Sequence, residues 1–386
     1  MLKIVANDST SNSAFGCIAT VVPSLDPKYG GPSVSVAALC RAMHAVEARA
    51  RLYFAGRSWP DEPQWPDFFR RYEDAWPKAL RRSPSLRRAL LDDDVALVHH
   101  HALWLPTLGY AHRASRRHHA PLVISPRGML ASYALGQSRT RKRLATLFIH
   151  PNAFRDAAGW HATSSDEADE IRRAGFEQPI VVAPNGVDEP PWREPADRNA
   201  WFDRYPELRG RRILLFFSRF HSKKGVVPLL EWWGDLAPRF PDWHLLVSGT
   251  PDEFGLDEVL RHTKRLRIED RTTSTLGMEM PKPYRLADLY VLPTLSENFG
   301  LTVGESLASG TPLLVSDQAP WHDINALGCG RCVPLSDWPA ELAILLSRSS
   351  EELRTMGAVG RDYVRRAFSW DTQARTLLDF YDTLRI

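Results

Sequence analysis

Residues Ala287 to Trp321, ADLYVLPTLSENFGLTVGESLASGTPLLVSDQAPW, constrain the fold more than any other stretch of the chain. Leu289, Tyr290, Val291 and Leu292 form an apolar run stopped by Pro293, and Pro312, Leu313, Leu314 and Val315 form another. Apolar runs without polar alternation suit parallel strands covered on both faces. Between them is room for a helix of only two or three turns, opened by Asn298 and Gly300 and closed by Ser309, Gly310 and Pro312. The unit reads as strand, loop, helix, strand.

In an open α/β sheet, ligands bind at the loop leaving the carboxyl end of a strand, and unpaired amides at a helix start favour a phosphate. Asn298, Phe299, Gly300, Leu301 and Thr302 fall at that point. Glu297 precedes the helix and Glu305 lies inside it, so the two are eight apart and not on one helical face. Two carboxylates repel a diphosphate, and their natural partners are hydroxyls, which donate to ionised acceptors. A diphosphate flanked by two hydroxyl-rich rings is a nucleotide sugar.

The segment from Glu297 to Glu305, ENFGLTVGE, resembles the E-x7-E motif of retaining glycosyltransferases of the GT-B fold, the large family 4 type. The resemblance implies that Glu297 contacts hydroxyls of the transferred sugar, that Glu305 holds the ribose, and that the amides between them hold the diphosphate. It also implies an α/β fold of two Rossmann-like domains whose parallel sheets face each other across a cleft, with a C-terminal helix crossing back to the first domain.

A chain of 386 residues is too long for one typical domain and fits two, each able to bury its own core. Strand-like segments recur in the first half at Leu2–Ala6, Ala50–Phe54, Val95–His99, Leu122–Ile124, His161–Thr163 and Ile180–Val182, with a helix at Ser33–Ala45. They recur in the second half at Ile213–Phe217, Trp243–Val247, Thr272–Thr275, Tyr290–Pro293 and Leu313–Val315. Such alternation argues for doubly wound parallel sheets. The proline-rich stretch Pro184–Pro195 marks a linker, and the expected division is 1–190 as an acceptor domain, 191–368 as a donor domain and 369–386 as the returning helix.

The absence of a long apolar run and the strand-like Met1–Ala6 point to a cytoplasmic protein. Cys17, Cys40, Cys329 and Cys332 lack the spacing of a zinc site and read as free thiols. The net charge of +3 is unremarkable, but no acidic residue falls between Asp94 and Asp156, while Arg113, Arg116, Arg117, Arg127, Arg139, Arg141, Lys142, Arg143 and Arg155 do. This basic segment, 113–155, is compatible with anionic lipid headgroups at the inner face of a plasma membrane and equally with a solvated helix face. No nucleic-acid motif accompanies it.

Ser218, Arg219 and Lys224 follow a buried strand in FSRFHSKKG, on the same rim as Glu297. A departing nucleoside diphosphate accumulates negative charge, which fixed cations stabilise in the transition state. The segment resembles the family's Arg plus Lys-Gly motif, which binds the diphosphate and can replace a metal ion; the lysine before Gly225 is the match. Gly30 and Gly31, in YGGPS ahead of a helix, resemble the family's N-terminal glycine loop. His101, in HHHALW, and Arg127, in SPRGML, end two further strands. Many relatives carry a histidine at the position of Arg127, where it touches the transferred sugar; His101 reads either as a site group or as a structural histidine. Asn185-Gly186 is a turn and a hinge marker, and Gly249 and Gly277 match loops around the nucleotide base.

No metal or other cofactor is expected, since Asp92-Asp-Asp94 reads as a helix-to-strand turn. The expected activity is transfer of a hexosyl unit from GDP-mannose or a UDP-hexose to a saccharide or lipid-linked saccharide, in the making of bacterial surface polysaccharide. A GT-B phosphorylase or epimerase, and a non-catalytic protein binding sugar nucleotides or an anionic surface, are the alternatives.

Overall fold

A computed structural model describes residues 16–26, 30–46, 48–56, 65–136, 142, 146, 150, 152–277 and 279–384. The chain divides into two compact units, one formed by residues 1–183 with 370–386 and the other by 184–369. The expected strand Leu2–Ala6 lies outside the described residues.

The first unit holds a seven-stranded sheet in the order β3-β2-β1-β4-β5-β6-β7. Its strands are β1 (Ile18–Val22), β2 (Ala50–Ala55), β3 (Phe69–Tyr72), β4 (Leu97–His101), β5 (Leu122–Ser125), β6 (Gly159–Ala162) and β7 (Ile180–Val182). The second unit holds a six-stranded sheet in the order β10-β9-β8-β11-β12-β13. These are β8 (Arg212–Phe220), β9 (Trp243–Pro251), β10 (Thr272–Leu276), β11 (Leu289–Leu292), β12 (Leu313–Ser316) and β13 (Gly330–Val333). Every pairing within both sheets is parallel, as the unalternating apolar runs require.

The structure corrects several expected bounds. The strand that leads to Gly30 is Ile18–Val22, which the sequence reading passed over. β4 runs two residues later than expected and so ends on His101, β6 begins two residues earlier, and the short strands β3 and β13 were not anticipated. The first helix, Gly31–Ala45, starts two residues before Ser33, because Pro32 fits its first turn.

Each sheet reverses its order at one place, between β1 and β4 in the first unit and between β8 and β11 in the second. At such a switch point the loops leaving neighbouring strands diverge to opposite faces and open a crevice, the place where open α/β sheets take ligands. The strand ends and loops there carry Gly30 and His101 in one unit, and Lys224 and Glu297 in the other.

Helix Trp370–Thr383 belongs to the first unit, where it packs on helix Gly31–Ala45 and buries Ala374, Leu377 and Tyr381 among Ile18, Val36, Leu39, Cys40 and Met43. The core of the second unit is rich in tryptophan, with Trp201, Trp233, Trp243 and Trp338 fully buried. A buried indole N–H usually finds an acceptor, and three of the four do. Trp201 donates to the Pro281 carbonyl at 3.0 Å, Trp233 to Arg271 at 3.2 Å and Trp243 to Leu346 at 2.9 Å. All four cysteines are free and buried.

Candidate active site

The second unit gathers its candidate residues at four strand ends. After β8 the chain turns through Ser222–Lys224, a single 3-10 turn closed by Gly225 at φ 76°. A Cβ at Gly225 would lie 2.1 Å from the Pro293 carbonyl oxygen, so only glycine lets this turn press against the end of β11. Two hydrogen bonds fasten the contact: the Leu295 amide and the Thr294 hydroxyl both donate to the Lys223 carbonyl, at 2.8 and 3.1 Å. As a result the ammonium of Lys224 forms an ion pair with Glu297, and both side chains are about nine-tenths buried. The sequence placed these residues on one rim; the structure brings them into contact.

Just beyond Glu297, helix Leu301–Ala308 begins on Gly300 at φ 80°, with no side-chain cap and no acidic residue in its first turn. An Asp or Ser cap would occupy the first amides, whereas glycine leaves them to an incoming anion. Phe299 is buried, and its carbonyl accepts from the Trp321 indole at 2.5 Å, which holds the loop before the helix. Thr302, in the first turn, accepts from the Tyr290 hydroxyl at 2.9 Å. Asn298 lies between Glu297 and this helix.

Glu305 faces a different pair of donors. Lys282 Nζ lies 2.6 Å from its Oε1, and the hydroxyl of the fully buried Tyr284 donates to Oε2 at 2.8 Å. Burial, with the Glu305 charge beside it, holds the Tyr284 phenol well above its usual range, so it stays a donor. A carboxylate offers about four acceptor positions, so Glu305 keeps capacity for further hydroxyls.

Arg219 does not join these groups: its guanidinium pairs with Asp252 at 2.5 Å and remains about a third exposed. Ser218, Gly249 and Gly277 form the other end of the rim. A Cβ at Gly249 would sit 2.2 Å from the Ser218 carbonyl oxygen, one at Gly277 would sit 2.7 Å from the Phe217 ring, and the Gly277 amide donates to the Gly249 carbonyl at 2.7 Å. Both glycines therefore serve close packing of β8, β9 and the loop after β10.

In the first unit, helix Gly31–Ala45 begins on Gly30 at φ 72°, again with no side-chain cap. At the ends of β4 and β5 the backbone is strained: Ala102, Trp104 and Arg127 take φ values of 85°, 64° and 55° without being glycine. Arg127 is buried, and its Nε and Nη2 lie 3.2 and 3.1 Å from Nδ1 of His101. An arginine only donates, so Nδ1 of His101 is the acceptor and its proton resides on Nε2. His101 is thus a hydrogen-bond donor rather than a base. Burial lowers the Arg127 pKa to about 10, opposed by the nearby Glu167, and the guanidinium stays charged at neutral pH.

Glu167 was missed by sequence reading. It is buried, and accepts from the Gly128 amide at 2.7 Å and from the Thr163 amide and hydroxyl at 2.7 and 2.9 Å. Three donated bonds hold its side chain in place and fix the loop in which Arg127 sits. Its only signal was an acidic residue in the first turn of an ordinary amphipathic helix, which is not distinctive. The expected lipid-facing helix from Arg139 to His150 lies largely outside the described residues, though Arg113, Arg116 and Arg155 are exposed. Among the described residues no helix is long and apolar enough to cross a membrane.

Two family models match the chain: Glycosyltransferase Family 4 over residues 29–189 and Glycosyl transferases group 1 over residues 197–343. The phosphatidyl-myo-inositol mannosyltransferase of Mycolicibacterium smegmatis is 30% identical over 228 residues, 57% of this chain and 56% of the relative. The D-inositol 3-phosphate glycosyltransferase of Segniliparus rotundus is 32% identical over 219 residues, 53% of this chain and 47% of the relative. These matches span about half the length of the two relatives. In structure, the chain is similar to Anabaena HepE solved with UDP and glucose, with a TM-score of 0.75 at 17% identity, covering 95% of this chain and 99% of HepE. With one model on each unit and the whole fold shared, the chain belongs to the family 4 glycosyltransferases of the GT-B fold.

Proposed function

We propose that the protein is a retaining glycosyltransferase that moves a hexosyl unit from a nucleoside diphosphate sugar to a saccharide or lipid-linked saccharide. The observation that carries this reading is the buried Lys224–Glu297 pair set beside the uncapped helix start at Gly300, at the switch point of the second sheet. Glu297 neutralises Lys224. An entering diphosphate takes the ammonium as its own counter-ion, with the amides of Leu301 and Thr302 adding to it. Glu297 is then released to accept from hydroxyls of the sugar, and Glu305 from those of the ribose.

As the glycosidic bond breaks, charge grows on the leaving phosphate, and Lys224 and the helix start stabilise that charge more than they stabilise the ground state. Arg219 adds a second cation once it exchanges Asp252 for phosphate. The acceptor hydroxyl attacks from the face the phosphate leaves, and the phosphate takes its proton, which gives retention without a covalent adduct on Glu297. His101 and Arg127 supply donors to oxygens of the sugar and none of the base chemistry. The fixed cations do the work a metal would do, so the reaction needs none.

GDP-mannose and a UDP-hexose are the favoured donors. The name of the mycolicibacterial relative supports a mannosyl group, and the UDP and glucose held by HepE support a UDP-hexose. Synthesis of a bacterial surface polysaccharide such as lipopolysaccharide is the proposed setting, with the exposed Arg113, Arg116 and Arg155 meeting anionic headgroups in a peripheral association with the membrane. Thermal shift and turnover with UDP-glucose and GDP-mannose, each with magnesium and with a chelator, test the proposal. One donor should shift melting equally under both conditions and yield a product of retained anomeric configuration. No shift and no turnover with any sugar nucleotide would overturn it.

A further inference from the structure

Four polar side chains beneath the ends of β4 and β6 have no part in the chemistry above: His99, His100, His161 and Tyr381 are all buried. His100 is accounted for locally, with Nε2 3.0 Å from the Thr107 hydroxyl. The other three form a single line. Tyr381 Oη lies 2.7 Å from His99 Nδ1, His99 Nε2 lies 3.2 Å from His161 Nδ1, and His161 Nε2 lies 2.8 Å from the Ala183 carbonyl oxygen.

The proton positions along this line follow from its ends. A carbonyl only accepts, so His161 Nε2 carries a hydrogen. Burial drives His161 down to about 3 and His99 well below its usual range, so at neutral pH each ring holds one proton. His161 Nδ1 is then bare and accepts from His99 Nε2–H. His99 Nδ1 is bare in turn and accepts from the Tyr381 hydroxyl. His101, whose ring packs tilted at 47° against His99 with centroids 4.0 Å apart, is set in the same tautomer by Arg127. Its Nε2–H has no partner among the described residues.

We infer that His99, His161 and Tyr381 are positioning residues for the His101–Arg127 donor pair, acting through this one-way line of hydrogen bonds; the inference rests on the reading of His101 and Arg127 as site groups. The line also ties down both places where the chain leaves and re-enters the first unit. Ala183 is the last residue before the chain passes into the second unit, and Tyr381 sits on the helix by which it returns. Any shift of either segment is therefore felt at His99, which touches His101 directly.

A metal ion is the competing reading, because His99, His101 and His161 place ring nitrogens within 4.8 Å of one another. The neutral rings would suit it. Arg127 does not: it commits His101 to present Nε2–H instead of a lone pair, and its charge repels a cation beside the three rings. The nitrogens of His99 and His161 that face each other are already joined by one proton.

The experiment is long-range ¹H–¹⁵N spectroscopy of the full, ligand-free chain labelled at histidine, with signals assigned by substitution. His99, His101 and His161 should all be neutral Nε2–H tautomers at pH 7. Tyr381→Phe, which keeps the ring and removes the donor, should move His99 out of that single tautomer and shift the His101 signal. In the same variant, kcat with UDP-glucose or GDP-mannose should fall about tenfold at unchanged KM, the effect of a single buried acceptor left unpaired. A Tyr381 that serves packing alone would lower the melting temperature and leave the His101 signal in place, overturning the inference. An Nδ1–H tautomer or a charged ring at any of the three positions overturns it as well, and this reading of the wild-type chain decides the matter even where Tyr381→Phe does not fold. Absence of turnover with all tautomers as stated would count against the proposed function and not against the positioning line.

Discussion

The two sheets solve the same problem at their switch points by opposite electrostatics. The second unit sets full charges against each other, Lys224 on Glu297 and Lys282 on Glu305. The first unit lines the corresponding strand ends with uncharged imidazoles and admits one cation, Arg127, answered by Glu167. Both start a helix at the switch point on a glycine of positive φ without a side-chain cap, at Gly30 and at Gly300. The difference teaches how each part is meant to meet its ligand. Charges that neutralise one another can be exchanged for a phosphate, whereas neutral rings in a fixed tautomer can only offer directed donors.

The sharpest way to break this comparison is Lys224→Ala. It removes the cation proposed to meet the leaving group, and kcat with the confirmed donor should drop by about a hundredfold to a thousandfold. A kcat within threefold of wild type would show that the pair is structural. Next in size is Gly225→Ala, which forces a Cβ against the Pro293 carbonyl at a φ of 76°. Denaturant unfolding should lose about 2 kcal/mol or more, with the loss confined to the second unit.

Acid separates the two units without mutation. His100 and His161 are lowered to about 3, and His99 and His101 are lowered well below 6.5, all chiefly by burial. His99, His101 and His161 face one another, Arg127 and Tyr381, whereas His100 faces Thr107 and His150. When the chain unfolds they bind protons at any pH below their free value near 6.5, so the unfolded state holds more protons and stability rises with pH in that window. Their contribution is complete above about pH 6.5 and is lost as pH falls towards about 3. The second unit has one comparable group, His244, lowered to about 4. Melting followed by hydrogen exchange at pH 7, 6 and 5 should show the first unit weakening before the second. The smallest effect is expected of Lys282→Ala: its ammonium is about half exposed, so stability should change by less than about 1 kcal/mol, with donor affinity slightly reduced.

Much of the second unit was legible because its signals are local. The runs LYVL and PLLV, the Gly-Pro stop and the two glutamates occupy one short stretch, and the helix Leu301–Ala308 falls between them as expected. The lysine preceding Gly225 was singled out by motif, while its reason, the close approach to Pro293, needed coordinates. The first unit was harder. Ile18–Val22 competed with the equally apolar Leu2–Ala6, and β3 is a four-residue edge strand whose Arg70 and Arg71 face water. Arg219 could not be assigned to Asp252 from its position alone. The bond between Tyr381 and His99 joins residues 282 positions apart, and no pattern along the chain announces it.

The return of helix Trp370–Thr383 has a consequence for how the protein is made. Synthesis delivers the whole of the second unit before the segment that completes the first. Until Ala374, Leu377 and Tyr381 emerge, the apolar face of helix Gly31–Ala45 has nothing to cover it, and the imidazole of His99 has no donor. The first unit is thus begun early and finished late, so a chain ending just before Trp370 would carry a complete second unit attached to an unfinished first, with a sticky groove as the mark by which quality control can tell it from the finished protein.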